Sequence, residues 1–171
     1  VAVVRASANR GSAVRVWDVA TGSTLVAEAR SIVLDPVARR ALVVAEGELV
    51  LRDFDRGIDR ALVGGSAFSG FIGDRVWTVE NDKLCFRDAS TGASGWEMLA
   101  PPRASEVPGA HRPWFSATAV VVLEGRALLV WLDARFQLHV IDPIGETSVT
   151  LKTGLREIPT GLFVSASGPR A

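Results

Sequence analysis

Apolar and polar residues alternate over short stretches of this chain, and four of the stretches share one ending. Residues 14–18, 49–53, 84–88 and 138–142 each close on an aspartate (Asp18, Asp53, Asp88 and Asp142), with apolar side chains two and four positions before it. A period of two marks a strand with one face on a core. A glycine follows each aspartate: Gly22, Gly57 and Gly92 four residues on, Gly145 three. The Asp-to-Asp spacings are 35, 35 and 54 residues (18 to 53, 53 to 88, 88 to 142). The longer interval contains the Pro-rich, non-periodic stretch 101–113, so the repeat survives one insertion.

Further strand-like runs fall between the aspartates. Residues 32–34, 41–45, 49–53 and 61–63 form one set, 67–71, 75–79, 83–87 and 96–99 the next, and 117–123, 128–132, 137–141 and 148–151 the last. Turn-forming pairs such as Asp35-Pro36, Glu46-Gly47 and Arg56-Gly57 separate them. No long stretch has the 3.6-residue period of a helix. Repetition of a four-stranded antiparallel unit at this period predicts an all-β fold, a β-propeller of four four-stranded blades. The expected boundaries within a single domain or segment, 1–171, are about 1–27 (completed by 161–168), 31–63, 67–99 and 115–151.

Residues 14–25, Val-Arg-Val-Trp-Asp-Val-Ala-Thr-Gly-Ser-Thr-Leu, resemble the end of a WD40 repeat, including its Trp-Asp dipeptide. Residues 83–96, with Asp88-Ala-Ser-Thr-Gly92 and then Trp96, are also similar to the quinoprotein type of propeller repeat. The chain departs from the WD40 pattern in three ways. It has no Gly-His dipeptide, and Trp17-Asp18 is its one Trp-Asp pair. At the hairpin position where the family carries an aspartate stand Gly11, Glu46, Asn81 and Arg135. The resemblance therefore implies a degenerate propeller that lacks the family's buried His–Asp network, so that packing between blades carries more of the stability.

The first aspartate comes at position 18, so the opening repeat lacks a first strand, and residues 161–168 read like such a strand. Two arrangements fit: a ring of four blades closed by the terminal strands, or part of a seven- to eight-bladed propeller in a larger polypeptide. In the second, the remaining blades of the same polypeptide are partners. Heavy use of Ala, Val, Arg and Gly points to a bacterial source.

Composition narrows the function classes. With 19 basic and 19 acidic residues, no net charge draws the chain to nucleic acid or to an anionic membrane. No apolar run approaches the roughly 18 residues of a membrane span. The single Cys85 excludes an internal disulfide and a Cys-based zinc site. A cytoplasmic protein is expected.

Candidate chemistry is sparse. His111 and His139 are the only histidines; the first lies in the insertion and the second on a strand, where a structural role is expected. Asp53, Asp55 and Asp59 alternate as calcium ligands can, yet they occupy the repeated turn and no bidentate glutamate follows in register. Residues 64–70 only superficially suggest a nucleophile elbow, and there is no phosphate loop or zinc-protease motif. The expectation is a protein without catalytic residues, metal or cofactor, acting as an interaction scaffold for a protein or peptide in a signalling or regulatory setting. The alternatives are the propeller portion of an enzyme (quinoprotein-like or peptidase-linked) and a small-ligand or carbohydrate-binding propeller. Loops on rigid frames carry function, and Arg and Trp dominate interface anchors. Arg103, His111, Arg112 and Trp114 of the insertion are therefore the expected partner surface, with Arg10 and Arg135 beside it.

Overall fold

The computed structural model describes residues 2–8, 11–18, 20–35, 37–45, 47–62, 69–102 and 117–154. Among them there are fifteen strands and no helix, in four antiparallel sheets. Sheet I holds β1 (Ala2–Ala8), β2 (Gly11–Trp17) and β3 (Thr24–Ala29). Sheet II holds β4 (Ser31–Leu34), β5 (Arg40–Ala45), β6 (Glu48–Asp53) and β7 (Ile58–Leu62). Sheet III holds β8 (Ser69–Ile72), β9 (Arg75–Glu80), β10 (Lys83–Asp88) and β11 (Ser94–Leu99). Sheet IV holds β12 (Ala117–Leu123), β13 (Arg126–Leu132), β14 (Gln137–Asp142) and β15 (Thr147–Lys152). In every sheet the strands lie in chain order, each paired with the next. Sheet I thus has three strands among the described residues, not four; residues 161–168, expected to complete it, lie outside them.

Tight turns of suitable residues set the registers. Asn81 and Asp82 both adopt left-handed backbone (φ 47° and 63°) between the facing residues Glu80 and Lys83. Glu124 and Gly125 do the same (φ 50° and 78°) between Leu123 and Arg126. Two successive left-handed residues match the twist of a hairpin, and Asn, Asp and Gly adopt them at least cost.

The chain divides into two compact units, Val1–Met98 and Leu99–Ala171. In the first, sheet II is covered on both faces. Ala41 and Val43 of β5 pack with Val16 and Ala29 of sheet I, joined by Leu25, Ile32, Leu34 and Phe54. The alternate residue Leu42, with Leu49, Leu51 and Leu62, packs with Phe71 and Val76 of sheet III and with Ala89 just after β10. The period of two thus sends successive side chains of one strand into two different cores. Each fully buried leucine or valine contributes about 1.5–3 kcal/mol. Polar links run between the same sheets: Arg39 pairs with Asp18 at 2.6 Å, and an Arg52 nitrogen donates to the Leu25 carbonyl at 3.4 Å.

In the second unit, Leu129, Val130, Trp131 and Leu132 of β13 and Ile141 of β14 are buried. The last strand behaves differently, with all six residues of β15 exposed. β7 and β11 are also largely exposed, so in sheets II and III the fourth strand is the wet one, whereas in sheet IV β12 also exposes Val120, Val122 and Leu123.

Candidate functional site

The four repeated aspartates do the same work. Each leaves the third strand of its sheet (β2 in the three-stranded sheet I) and turns its carboxylate back on the following loop. Oδ1 of Asp18 accepts the N–H of Ala20 at 3.0 Å, and Oδ1 of Asp53 those of Asp55 and Arg56, each at 3.0 Å. Oδ1 of Asp88 accepts from Ser90 (2.9 Å) and from the N–H and hydroxyl of Thr91 (2.7 and 2.8 Å). Oδ1 of Asp142 accepts from Ile144 and Gly145, both at 2.9 Å. This is an Asx-turn, in which a short carboxylate satisfies loop donors that would otherwise need water.

The position four residues after each aspartate is left-handed: Gly22 (φ 70°), Gly57 (63°) and Gly92 (73°), but Glu146 (53°) in the fourth repeat. Gly145 therefore does not occupy the glycine position of the other repeats. It is small for another reason, since a Cβ there would sit 2.9 Å from Oδ2 of Asp142.

Asp18, Asp88 and Asp142 are held below the ordinary carboxylate range by their partners. For Asp18 the largest influence is the Arg39 guanidinium, followed by the Ala20 N–H. For Asp88 it is the N–H and then the hydroxyl of Thr91, and for Asp142 the N–H of Gly145. The tempting calcium set is consumed in the same way: Asp53 caps its turn, Asp55 pairs with Arg39 at 3.0 Å, and Asp59 pairs with Arg52. Among the described residues no group of three or more His, Cys, Asp or Glu side chains is placed to hold a metal ion.

A second repeated residue, absent from the sequence-based expectations, stands at the start of each second strand in sheets II to IV. These are Arg40, Arg75 and Arg126. Arg40 faces Asp53 across the ladder and Arg75 faces Asp88, while Arg126 pairs with Asp142 at 3.1 Å. Arg40 also pairs with the buried Asp35 at 2.6 Å and lies 6.0 Å from the centroid of the Phe71 ring. Sequence signal for it existed in Arg40-Ala-Leu, Arg75-Val-Trp and Arg126-Ala-Leu, but a lone arginine before a strand reads as solvated surface.

Sheet IV carries a buried His–Asp contact of its own, which the expected absence of the WD40 family's network did not anticipate. Asp133, not Arg135, opens the β13–β14 turn: its Oδ1 accepts the N–H groups of Arg135 and Gln137, both at 2.8 Å. Its Oδ2 lies 2.9 Å from Nε2 of the buried His139, whose Nδ1 lies 3.0 Å from the Thr150 hydroxyl. With the carboxylate accepting, Nε2 is the donor and Nδ1 is left to accept the hydroxyl proton. Carboxylate, imidazole and hydroxyl thus form one chain from a buried turn to an exposed strand. It clasps three strands together, because β13 ends just before Asp133, His139 is on β14 and Thr150 on β15. Sequence pattern hid it: the three residues come from three separate elements, and only His139 stood out.

Arg135 is exposed on this turn. Arg10, Arg103, His111, Arg112 and Trp114 lie outside the described residues, so of the expected partner surface only Arg135 is placed. Trp77 and Trp131 are buried, and Trp96 stacks on Phe86 with ring centroids 5.5 Å apart. Gly70, part of the glycine-serine stretch, faces Trp77 across the ladder, and a Cβ there would come within 2.7 Å of the indole nitrogen. Cys85 is buried, and that burial pushes its thiol up. No helix among the described residues is long and apolar enough to cross a membrane. No protein-family model matches the chain, and no curated protein matches it.

Proposed function

We propose that the chain is a WD40-like β-propeller segment of bacterial origin, serving in the cytoplasm as a scaffold for a protein or peptide partner, with no catalytic centre or cofactor of its own. One observation carries this reading: consecutive antiparallel sheets built to one plan, with sheets I, II and III stacked face to face. Blades of a propeller are units of this kind, each with its last strand outermost and wet. The carboxylates that might have served chemistry are engaged in turns and ion pairs, which suits a rigid frame whose loops do the binding. The partner surface on this reading is the insertion 101–113 with Trp114, supported by Arg10 and Arg135.

The test is affinity capture with the full chain as bait, beside the triple variant R103A/R112A/W114A. The scaffold reading expects a defined protein in near-equal amount with the wild type and its loss with the variant. Equal capture by both would contradict the assigned surface. The Asp133–His139–Thr150 chain favours one other reading, a hydroxyl activated by a general base. Incubation with a p-nitrophenyl ester followed by peptide mass mapping separates the two. The scaffold reading expects no acyl group on Thr150, and an acyl-Thr150 that is lost in H139A would replace it.

A further inference from the structure

β15, one of the two edge strands of sheet IV, is built unlike the last strands of sheets II and III. β7 carries Asp59 and Arg60, and β11 carries Gly95 and Glu97. Charge and glycine on an edge strand discourage pairing with another chain. β15 reads Thr-Ser-Val-Thr-Leu-Lys, without proline or glycine, and its one charge is at the very end. Val149 is 57% exposed and Leu151 49%, whereas Leu62, nine residues after its own turn aspartate as Leu151 is after Asp142, is 7% exposed. One edge of β15 is paired to β14 along its whole length, from Asp142↔Thr147 to Gln137↔Lys152. Among the described residues no strand pairs the other edge.

We propose that two copies of this chain pair through β15, antiparallel and edge to edge, about a twofold axis at Thr150. Two copies of sheet IV then become one continuous sheet. The occupant is a second copy because the strand is complementary to itself. With the axis at Thr150, Val149 of each copy faces Leu151 of the other, and Ser148 faces Lys152. Directly opposed side chains in such a pair lie on one face and interact, so both apolar side chains are matched reciprocally and no like charges meet. Moving the axis to Val149 sets Leu151 against Thr147, and moving it to Leu151 sets Val149 against Thr153. Only the Thr150 axis joins the two apolar residues to each other. An isologous contact of this kind closes as a dimer and does not propagate. It goes beyond the scaffold reading, and the two stand or fall separately.

The test is sedimentation equilibrium of the full chain up to about 500 µM, a range in which an interface of only a few strand residues is populated. The wild type should show a monomer–dimer equilibrium, and V149D/L151D should stay monomeric throughout. V149D/L151K should dimerise again, because the Thr150 register places each introduced carboxylate opposite an introduced ammonium. Added salt should weaken that engineered dimer and leave the wild-type dimer largely unchanged. Circular dichroism confirms that each variant is folded, as expected for substitutions at exposed positions. A wild type that remains monomeric overturns the proposal, as does a dimer untouched by V149D/L151D. A V149D/L151K variant that stays monomeric overturns the register.

Discussion

At the residue scale, the four turn aspartates give a case in which one side chain substitutes for backbone partners. The position four residues on must be left-handed, and three repeats place glycine there while the fourth places Glu146. Glycine adopts that backbone without the steric penalty other residues meet. Gly92→Ala should therefore cost about 1 kcal/mol, and Glu146→Gly should gain up to about 1 kcal/mol, both read from urea midpoints at constant slope. The same turns, together with the Asp59–Arg52 pair, make stability depend on pH. Asp18, Asp59, Asp88 and Asp142 are all held below their ordinary range in the folded protein. A depressed carboxylate contributes stability above its unfolded value, near pH 4, and loses it as pH falls through the folded value. The urea midpoint should thus drop between pH 5 and pH 2. The drop should shrink in D88N/D142N, which can still accept the turn bonds but does not titrate; an equal drop in that variant would remove these two groups from the account.

The element scale is where sequence and structure part company. Strand positions followed from period and turn residues: 75–79 and 83–87 lie within β9 and β10, and 117–123 coincides with β12. Alternation is a local property, so it survives in a single sequence. What stayed hidden depends on partners brought together from a distance. Arg40 and Asp53 are adjacent only across a ladder, and Asp133, His139 and Thr150 only after two hairpins have formed. Asp133 sits in Leu-Asp-Ala-Arg, which carries none of the glycine or proline that usually announces a turn. The proposed partner surface was read from residue type alone, because a non-periodic insertion gives no pattern to place it. If the Asp133 clasp is structural, Asp133→Ala should cost about 1–3 kcal/mol, since it strips partners from the buried imidazole and two part-buried turn N–H groups. His139→Ala and Thr150→Val should be non-additive by about 0.5–3 kcal/mol in a double-mutant cycle. Strict additivity would show that the imidazole and the hydroxyl do not act together.

For the whole molecule, the organising fact is that one strand serves two cores. β5 sends Ala41 and Val43 toward sheet I and Leu42 toward sheet III. Leu51→Ala should therefore cost about 2–5 kcal/mol and loosen sheet III along with sheet II, visible as faster amide exchange in β9 as well as in β6. Exchange confined to sheet II would mean that the sheets are stabilised separately. Stacking of this kind among sheets I to III is the observation behind the propeller proposal. The most direct measurement is an experimental structure of the full chain by crystallography or electron cryomicroscopy. The propeller proposal predicts sheets I to III fanned about one axis, with β4 and β8 inward and β7 and β11 outward. Sheets I to III closed into a barrel, or fanned with β7 and β11 innermost, would contradict it.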